Sequence, residues 1–453
     1  MNVERASRPG KRLALFFDGT WNKPENNTNV WRLRLMLSDR GADGRPQMEF
    51  YDEGVGTKWF DRLSGGAFGY GLSDNVCRGY RWLMENYDFG DEIFIFGFSR
   101  GAFTARSLAG VIGRCGLLKP DAPMSFAQLY ERYQKGDTVR PIYRLKYLER
   151  QGEKNFDFEE RALLNHSHYG RNLIKMVGVW DTVGSLGIPF GNIPGISRRT
   201  LGFHNTNLSK IVEHSYQALA LDEFRKPYWA VLWTCFLPEK PEADSAQVDN
   251  RHVEQRWFTG AHCNVGGGYR NDLIQQRPLA WMQKKAGACG LGFRSRVVVT
   301  DDDFKMQPRD SYSEFLGGLW RILTFGKRYV RWVMSIPVRK VAHWKGKRRI
   351  DDGWVETANE RIDLSVIRRC QLDDKYRPQN LLDWAARKKI DLEAAIANPG
   401  TYSQCWSAVT RPGIESSLLG LTLDGSITGG TLPEPPTSQP LPGTANPAGS
   451  QRG

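Results

Sequence analysis

The stretch Asp91–Gly113 constrains this chain more than any other, because within one short run it reads as a strand, a sharp turn and a helix. Ile93–Phe96 is an apolar run of the kind that fills a strand buried on both faces. Gly97-Phe98-Ser99-Arg100-Gly101 then fits G-x-S-x-G, and Ala102, Ala105, Leu108, Ala109 and Ile112 recur at helical spacing. In that context the turn is a nucleophile elbow: the serine is lifted clear of the sheet edge, where a base and a substrate can both reach it. Side chains at 97 or 101 would collide with the adjoining strand or helix. The N–H of Arg100 and the helix N-terminus face a developing oxyanion. The bland alternative is that Ser99 only caps the helix, since serine is a favoured N-cap. The strand before it and the helix after it favour the elbow.

Around this element, strands and helices alternate. Arg12–Phe17 reads as a first strand and runs into Asp18-Gly19-Thr20-Trp21-Asn22. A phosphatase of the haloacid dehalogenase type needs an aspartate two residues before Asp18. That position is Phe16, so this chemistry is excluded. Gly19 and Thr20 instead suit a second oxyanion N–H, glycine allowing close backbone approach, with a plain tight turn as the equal alternative. Met48–Asp52 is a second strand, and Gly54–Gly56 with Gly65–Gly71 a glycine-dense surface. Leu72, Val76, Tyr80, Leu83, Met84 and Tyr87 mark an amphipathic helix feeding the elbow strand. The pattern argues an α/β fold with a mainly parallel sheet flanked by helices.

Ala122–Phe158 reads as an insertion over the sheet, a cap or lid. Leu173–Trp180 is a buried strand ending in Asp181, where a triad acid belongs; an isolated Asp after a strand is more often a turn residue. Ile211–Leu221 reads as helical and leads into Asp222-Glu223, with Asp222 the reserve acid. Tyr228–Leu237 and Val253–Phe258 follow as strands, the latter running into Gly260-Ala261-His262 and then Gly266-Gly267-Gly268. Of the seven histidines only His262 combines a strand-end position with a glycine-rich loop; His204 and His214 read as packing or surface residues. Ser99, Asp181, His262 is the chain order of α/β hydrolases.

The balance of 63 Lys plus Arg against 50 Asp plus Glu, net +13, implies an anionic partner. The basic residues concentrate with aromatics in Trp320–Ile350, which contains no acid and includes Trp320, Arg328, Arg331, Trp332 and Lys347. That mixture suits a membrane surface; a basic helix pair packed on the core is the plain alternative, and nucleic acid is the less favoured partner. The seven cysteines form no C-x-x-C, so neither zinc nor a disulfide framework is indicated, and no cofactor is expected. The first residues lack the apolar core of a leader peptide, and no apolar run approaches the ~18 residues of a membrane span. The expectation is a cytoplasmic protein in the cell that makes it, meeting membranes only peripherally. Asp424–Gly453, rich in Pro, Gly, Ser and Thr, reads as a disordered tail.

Five ordered blocks resemble a known family: Leu15–Asn22; Gly90-Asp91 with Phe96–Ala102; Gly178–Gly184; Ala218–Glu223; and Trp257-Phe258 through His262 to the glycines. Together they look like the catalytic domain of the type VI secretion phospholipase effectors of the first lipase group. The resemblance spans about residues 11 to 285, with a weaker echo at Leu364–Val366 and Tyr376–Pro378. It implies an α/β hydrolase cleaving acyl esters of phospholipids with a triad of Ser99, Asp181 and His262. It also implies delivery to a target cell, a secretion-apparatus partner and an immunity protein. Asn264 departs from the aspartate usual after the catalytic histidine. The expected layout is a catalytic domain at 11–300 with the 122–158 insertion, an extension at 301–423 packed on it and carrying the basic segment 320–350, and the tail 424–453. Two rivals stay open: a soluble serine esterase or acyltransferase, and a non-catalytic basic lipid-binding protein.

Overall fold

The computed structural model describes residues 10–19, 24–54, 70–183, 211–238, 252–300, 302–333, 339–345 and 348–400. The chain divides after Val409, and everything below belongs to its first part. The Gly54–Gly71 surface, for the most part, and the tail from Asp424 lie outside the described residues.

A parallel seven-stranded sheet organises the molecule. Its strands are β1 (Arg12–Phe17), β2 (Gln47–Asp52), β3 (Glu92–Phe98), β4 (Ile174–Trp180), β5 (Val212–Ala220), β6 (Val253–Phe258) and β7 (Glu360–Ile362). Their order across the sheet is β7-β6-β5-β4-β3-β1-β2, and every pairing is parallel. Parallel sheets need cover on both faces, and the strands' composition reflects that. Leu13, Leu15, Phe17, Ile93 and Ile95 point to one face, packing with helices α2 (Tyr70–Asn86) and α3 (Arg100–Cys115). The alternate residues Ala14, Phe16, Phe94, Phe96 and Phe98 point to the other, against α1 (Asn29–Leu35) and α4 (Gln276–Ala288). Phe16 and Phe96 stack across adjacent strands with centroids 5.2 Å apart. Each such fully buried aromatic or aliphatic side chain contributes ~1.5–3 kcal/mol.

The order reverses at β1: β2 lies on one side of it and β3 on the other. The carboxyl ends of β1 and β3 therefore flank the sheet's topological switch point, where open α/β sheets bind ligands. That is where Asp18 and Ser99 stand.

Two expectations are corrected. Within residues 211–221, read as helical, Val212–Ala220 form the interior strand β5, between β4 and β6. Their Ala, Gln and Ser content favours no strand by propensity. Pairing on both edges and burial of both faces override it. The 122–158 insertion does not cap the site. It folds into helices Phe126–Gln134 and Ile142–Arg150, whose Phe126, Leu129, Tyr133, Ile142 and Leu145 join the core on the α3 face. Arg114 near the end of α3 donates to the carbonyls of Gly136 and Val139, so this packing is at the opposite end of α3 from Ser99.

Residues beyond 300 enter the sheet as well as covering it. β7 extends the β6 edge, and Trp257 and Leu219 pack with Ile362, Val366, Leu381 and Trp384 in a third apolar cluster. A separate antiparallel sheet joins Thr234–Pro238, Arg348–Thr357 and Arg339–Lys345. No helix among the described residues is long and apolar enough to cross a membrane.

Candidate active site

The turn after β3 is strained. Ser99 sits at φ 57°, ψ −119°, a region non-glycine residues rarely adopt. Glycine is obligatory on both sides of it: a Cβ at Gly97 would lie 2.3 Å from the Gly101 carbonyl oxygen, and one at Gly101 2.1 Å from that of Phe17. Ser99 precedes α3, yet its side chain makes no capping bond. Its Oγ lies 2.9 Å from His262 Nε2 instead.

His262 follows β6 and opens a short helix, His262–Gly266. The loop behind it is pressed close to neighbouring chain: a Cβ at Gly266 would overlap the Phe98 ring at 1.9 Å. Asn29 Nδ2 donates to the Val265 and Gln275 carbonyls, tying the loop to α1. His262 Nδ1 lies 2.6 Å from Asp181 Oδ2. Asp181, at the end of β4 and at φ 39°, is fully buried. Burial opposes its ionisation, but the Arg331 and His262 contacts win and hold its carboxyl at about 2. An ionised carboxylate only accepts, so Nδ1 carries the ring proton and Nε2 accepts from the Ser99 hydroxyl. Burial lowers the His262 pKa below its ordinary value, Asp181 only partly offsetting it. The imidazole is therefore neutral at physiological pH and fit to accept a proton. The Phe98 and Tyr228 rings enclose it, with centroids at 4.6 and 5.0 Å.

The residues expected to act with these three are placed unevenly. Arg100 begins α3; burial lowers its guanidinium pKa to about 10, with Tyr228 opposing. The Gly19 N–H is turned to Asp18 Oδ1 at 2.7 Å, which corrects the expectation that it stands ready as an oxyanion donor. Asp18 also accepts from Thr28 Oγ1 and Tyr51, locking the loop. Thr20 lies outside the described residues. Asp222 touches neither His262 nor Ser99 by any described bond. It accepts from the Gly260 N–H and Tyr376 hydroxyl, and burial raises its pKa. Asn264 bridges the Ala261 N–H to Asp272, so it braces the histidine loop.

Of the surface candidates, Arg328 and Trp332 are exposed and Trp320 is half-buried against Phe315. Lys347 lies outside the described residues. Arg331 is a correction: only 1% exposed, it forks onto Asp181, Nη1 to Oδ1 at 2.6 Å and Nη2 to Oδ2 at 3.0 Å. Its charge is consumed internally, so it cannot face a lipid. Sequence reading also missed Glu223 as a site residue. It accepts from the His262 backbone N–H at 3.2 Å and is itself neutralised by Arg225, which stacks on Tyr228 at 3.7 Å. Its position directly after Asp222 was the one available signal. Among the described residues, no cluster of His, Cys, Asp and Glu is arranged to hold a metal, and Cys77, Cys115, Cys263, Cys289 and Cys370 are free thiols.

The family described as "T6SS, Phospholipase effector Tle1-like, catalytic domain" matches residues 11–285. An uncharacterized Saccharomyces cerevisiae protein, YEL023C, is 29% identical over 323 residues, 66% of this chain and 43% of that protein. Two solved structures share 14% and 15% identity at TM-scores of 0.31 and 0.35. One is the Tle1 effector bound to the VgrG spike of the type 6 secretion system, with 59% of this chain and 53% of that one covered. The other is an uncharacterized Pseudomonas aeruginosa protein, with 66% and 50% covered. The chain thus spans about half or less of each.

Proposed function

Because the chain belongs to the Tle1-like catalytic-domain family of type VI secretion phospholipase effectors, we propose that it is a serine hydrolase of phospholipid acyl esters acting through Ser99, His262 and Asp181. The observation that carries this reading is the continuous relay from Ser99 Oγ through His262 to Asp181 on a strained turn.

His262 Nε2 takes the Ser99 proton as Oγ attacks the ester carbonyl, and Asp181 holds the tautomer and stabilises the imidazolium. The Arg100 N–H and the N-terminus of α3 receive the oxyanion. A second donor comes from Thr20 in the loop after β1. One such donor is worth roughly 10²–10³ in rate. The imidazolium gives its proton to the leaving lysolipid oxygen. Water deprotonated by His262 then releases the fatty acid.

Access to lipid falls to the segment around the short helix Leu319–Leu323. Leu319, Ile322, Leu323 and Phe325 are exposed, Ile322 by 72% and Phe325 by 89%, beside exposed Arg321 and Lys327. Inserted apolar side chains are worth ~1.5–3 kcal/mol each and nearby cations ~1 kcal/mol each at an anionic surface. Trp320, Arg328 and Trp332 lie in the same stretch of chain, with Arg328 paired to Asp310 at 2.6 Å. Family membership further supports delivery to a target cell by a secretion-spike protein, with an immunity protein protecting the producer.

The test is fatty-acid release from mixed phospholipid vesicles by wild type and Ser99→Ala. Release by wild type alone supports the reading. Hydrolysis of short soluble esters without vesicle activity favours a soluble esterase, and silence on both favours a binding protein.

A further inference from the structure

Arg331 lies beyond residue 285, where the family match ends, yet it touches the heart of the site. Its planar fork makes four hydrogen bonds. Two go to the Asp181 carboxylate, at 2.6 and 3.0 Å, one to the Ala220 carbonyl at 2.9 Å and one to the Tyr228 carbonyl. Asp181 in turn receives the Ala220 N–H on Oδ1 and His262 on Oδ2. Each carboxylate oxygen is thus fixed by one guanidinium nitrogen and one further donor, so the group cannot turn about its Cβ–Cγ bond without breaking all four. The carboxylate is fully buried, where an unpaired charge draws a proton or a different partner.

We infer that Arg331 is a positioning residue for the hydrolase: it keeps Asp181 oriented and ionised against His262, so that a segment outside the matched domain completes the site. This rests on the serine-hydrolase reading above. Arg331 touches no substrate and acts only through Asp181.

Among the described residues, the charged groups around His262 are Asp181, Glu223, Arg225 and Arg331, with the Tyr228 ring alongside. Glu223 and Arg225 offset each other through a two-point ion pair. Removing the Arg331 charge therefore leaves uncompensated negative charge facing the imidazole, which favours its protonated form. A residue that only pinned its segment to the Tyr228 carbonyl would leave that titration in place.

The experiment uses the full chain as wild type, Arg331→Met and Arg331→Lys, with Ser99→Ala as the control for the hydrolase reading. Ester hydrolysis is followed against pH, and the His262 ring is titrated by NMR with labelled histidine. Arg331→Met is expected to lose roughly 10²-fold in kcat with KM little changed, and its acid limb and His262 titration should move up by about one pH unit. Arg331→Lys keeps the charge but not the fork. Its titration should stay near wild type and its kcat fall by about tenfold. A folded Arg331→Met protein with wild-type kcat and unmoved titration overturns the inference. If that variant does not fold, Arg331→Lys decides: wild-type kcat overturns the inference, and the tenfold loss with unmoved titration supports it. A wild type that hydrolyses no ester, while Arg331→Met still shifts His262, sinks the hydrolase reading and supports the coupling.

Discussion

Asp181→Asn isolates the role of the buried carboxylate with almost no change of shape. Four donors converge on it: Arg331 Nη1 and the Ala220 N–H on Oδ1, Arg331 Nη2 and His262 Nδ1 on Oδ2. An amide has one accepting oxygen and one NH2 that only donates. With the oxygen in the Oδ1 place, it keeps the Ala220 and Nη1 bonds, and the NH2 falls opposite Nη2, whose bond is lost, and Nδ1, whose proton it meets. The imidazole resolves this clash by moving its proton to Nε2, which then faces Ser99 Oγ as a donor and no longer works as a base. The opposite placement sets the NH2 against Nη1 and a backbone N–H, neither of which can accept. The wrong tautomer costs on the order of 10⁴ in kcat, or about 5 kcal/mol of transition-state stabilisation. Arg331 also keeps a buried charge without its counter-ion, a loss on the scale of ~3–5 kcal/mol in stability. The assay is fatty-acid release at saturating vesicle concentration with thermal unfolding measured in parallel. A folded Asp181→Asn protein within about tenfold of wild-type kcat would refute the reasoning.

Asp222→Asn should by contrast retain activity and lose about 1 kcal/mol of stability or less, since the Gly260 N–H and the Tyr376 hydroxyl both donate to Oδ2 and an amide oxygen placed there keeps both bonds; loss of hydrolysis here with Asp181→Asn active would reverse the assignment of the acid. Gly101→Ala should destabilise by about 2–3 kcal/mol or more in a denaturant titration, because the new Cβ meets the backbone oxygens of Phe17 and Asp18 rather than a yielding side chain. Asp181, Glu254 and Asp363 sit at about 2 when folded, paired cations overcoming burial. The unfolded chain therefore binds more protons as pH drops, so their contribution is complete above about pH 5 and disappears toward pH 2. His262, also depressed, acts in the same direction from about pH 6.5 downward, and a melting temperature flat between pH 7 and 3 would contradict this. Phe325→Ser should weaken sedimentation with anionic vesicles by roughly tenfold while hydrolysis of a short soluble ester is unchanged; unaltered sedimentation removes Phe325 from the lipid face.

What could be read from the sequence was what is encoded locally. The elbow is one contiguous segment whose glycines, serine and flanking apolar runs carry their own geometry, and β1, β3 and β4 are apolar enough to announce themselves. Ser99, Asp181 and His262, which the structure brings together, could be picked out because each follows a readable strand. β5 was misread because a central strand shielded on both faces needs no alternation, and Glu213, Gln217 and the alanines mimic a helix. Arg331 was unreadable for a different reason. Its partner is 150 residues away, and a buried arginine inside a basic, aromatic stretch has the same local composition as an exposed one. The 122–158 helices were legible as helices, but which end of α3 they pack against depends on contacts such as Arg114 with Gly136 and Val139.

The edge strand β7 sets the timing of assembly. Its Glu360 accepts from Trp257 of β6 across 103 residues, so a growing chain displays the hydrogen-bonding rim of β6 until residue 362 has emerged. Loops that long close slowly, and an open rim invites pairing with foreign strands. Chains ending before that point carry an unsealed sheet. They should precipitate or bind chaperones even though every residue of the Ser99–His262–Asp181 relay has already been synthesised.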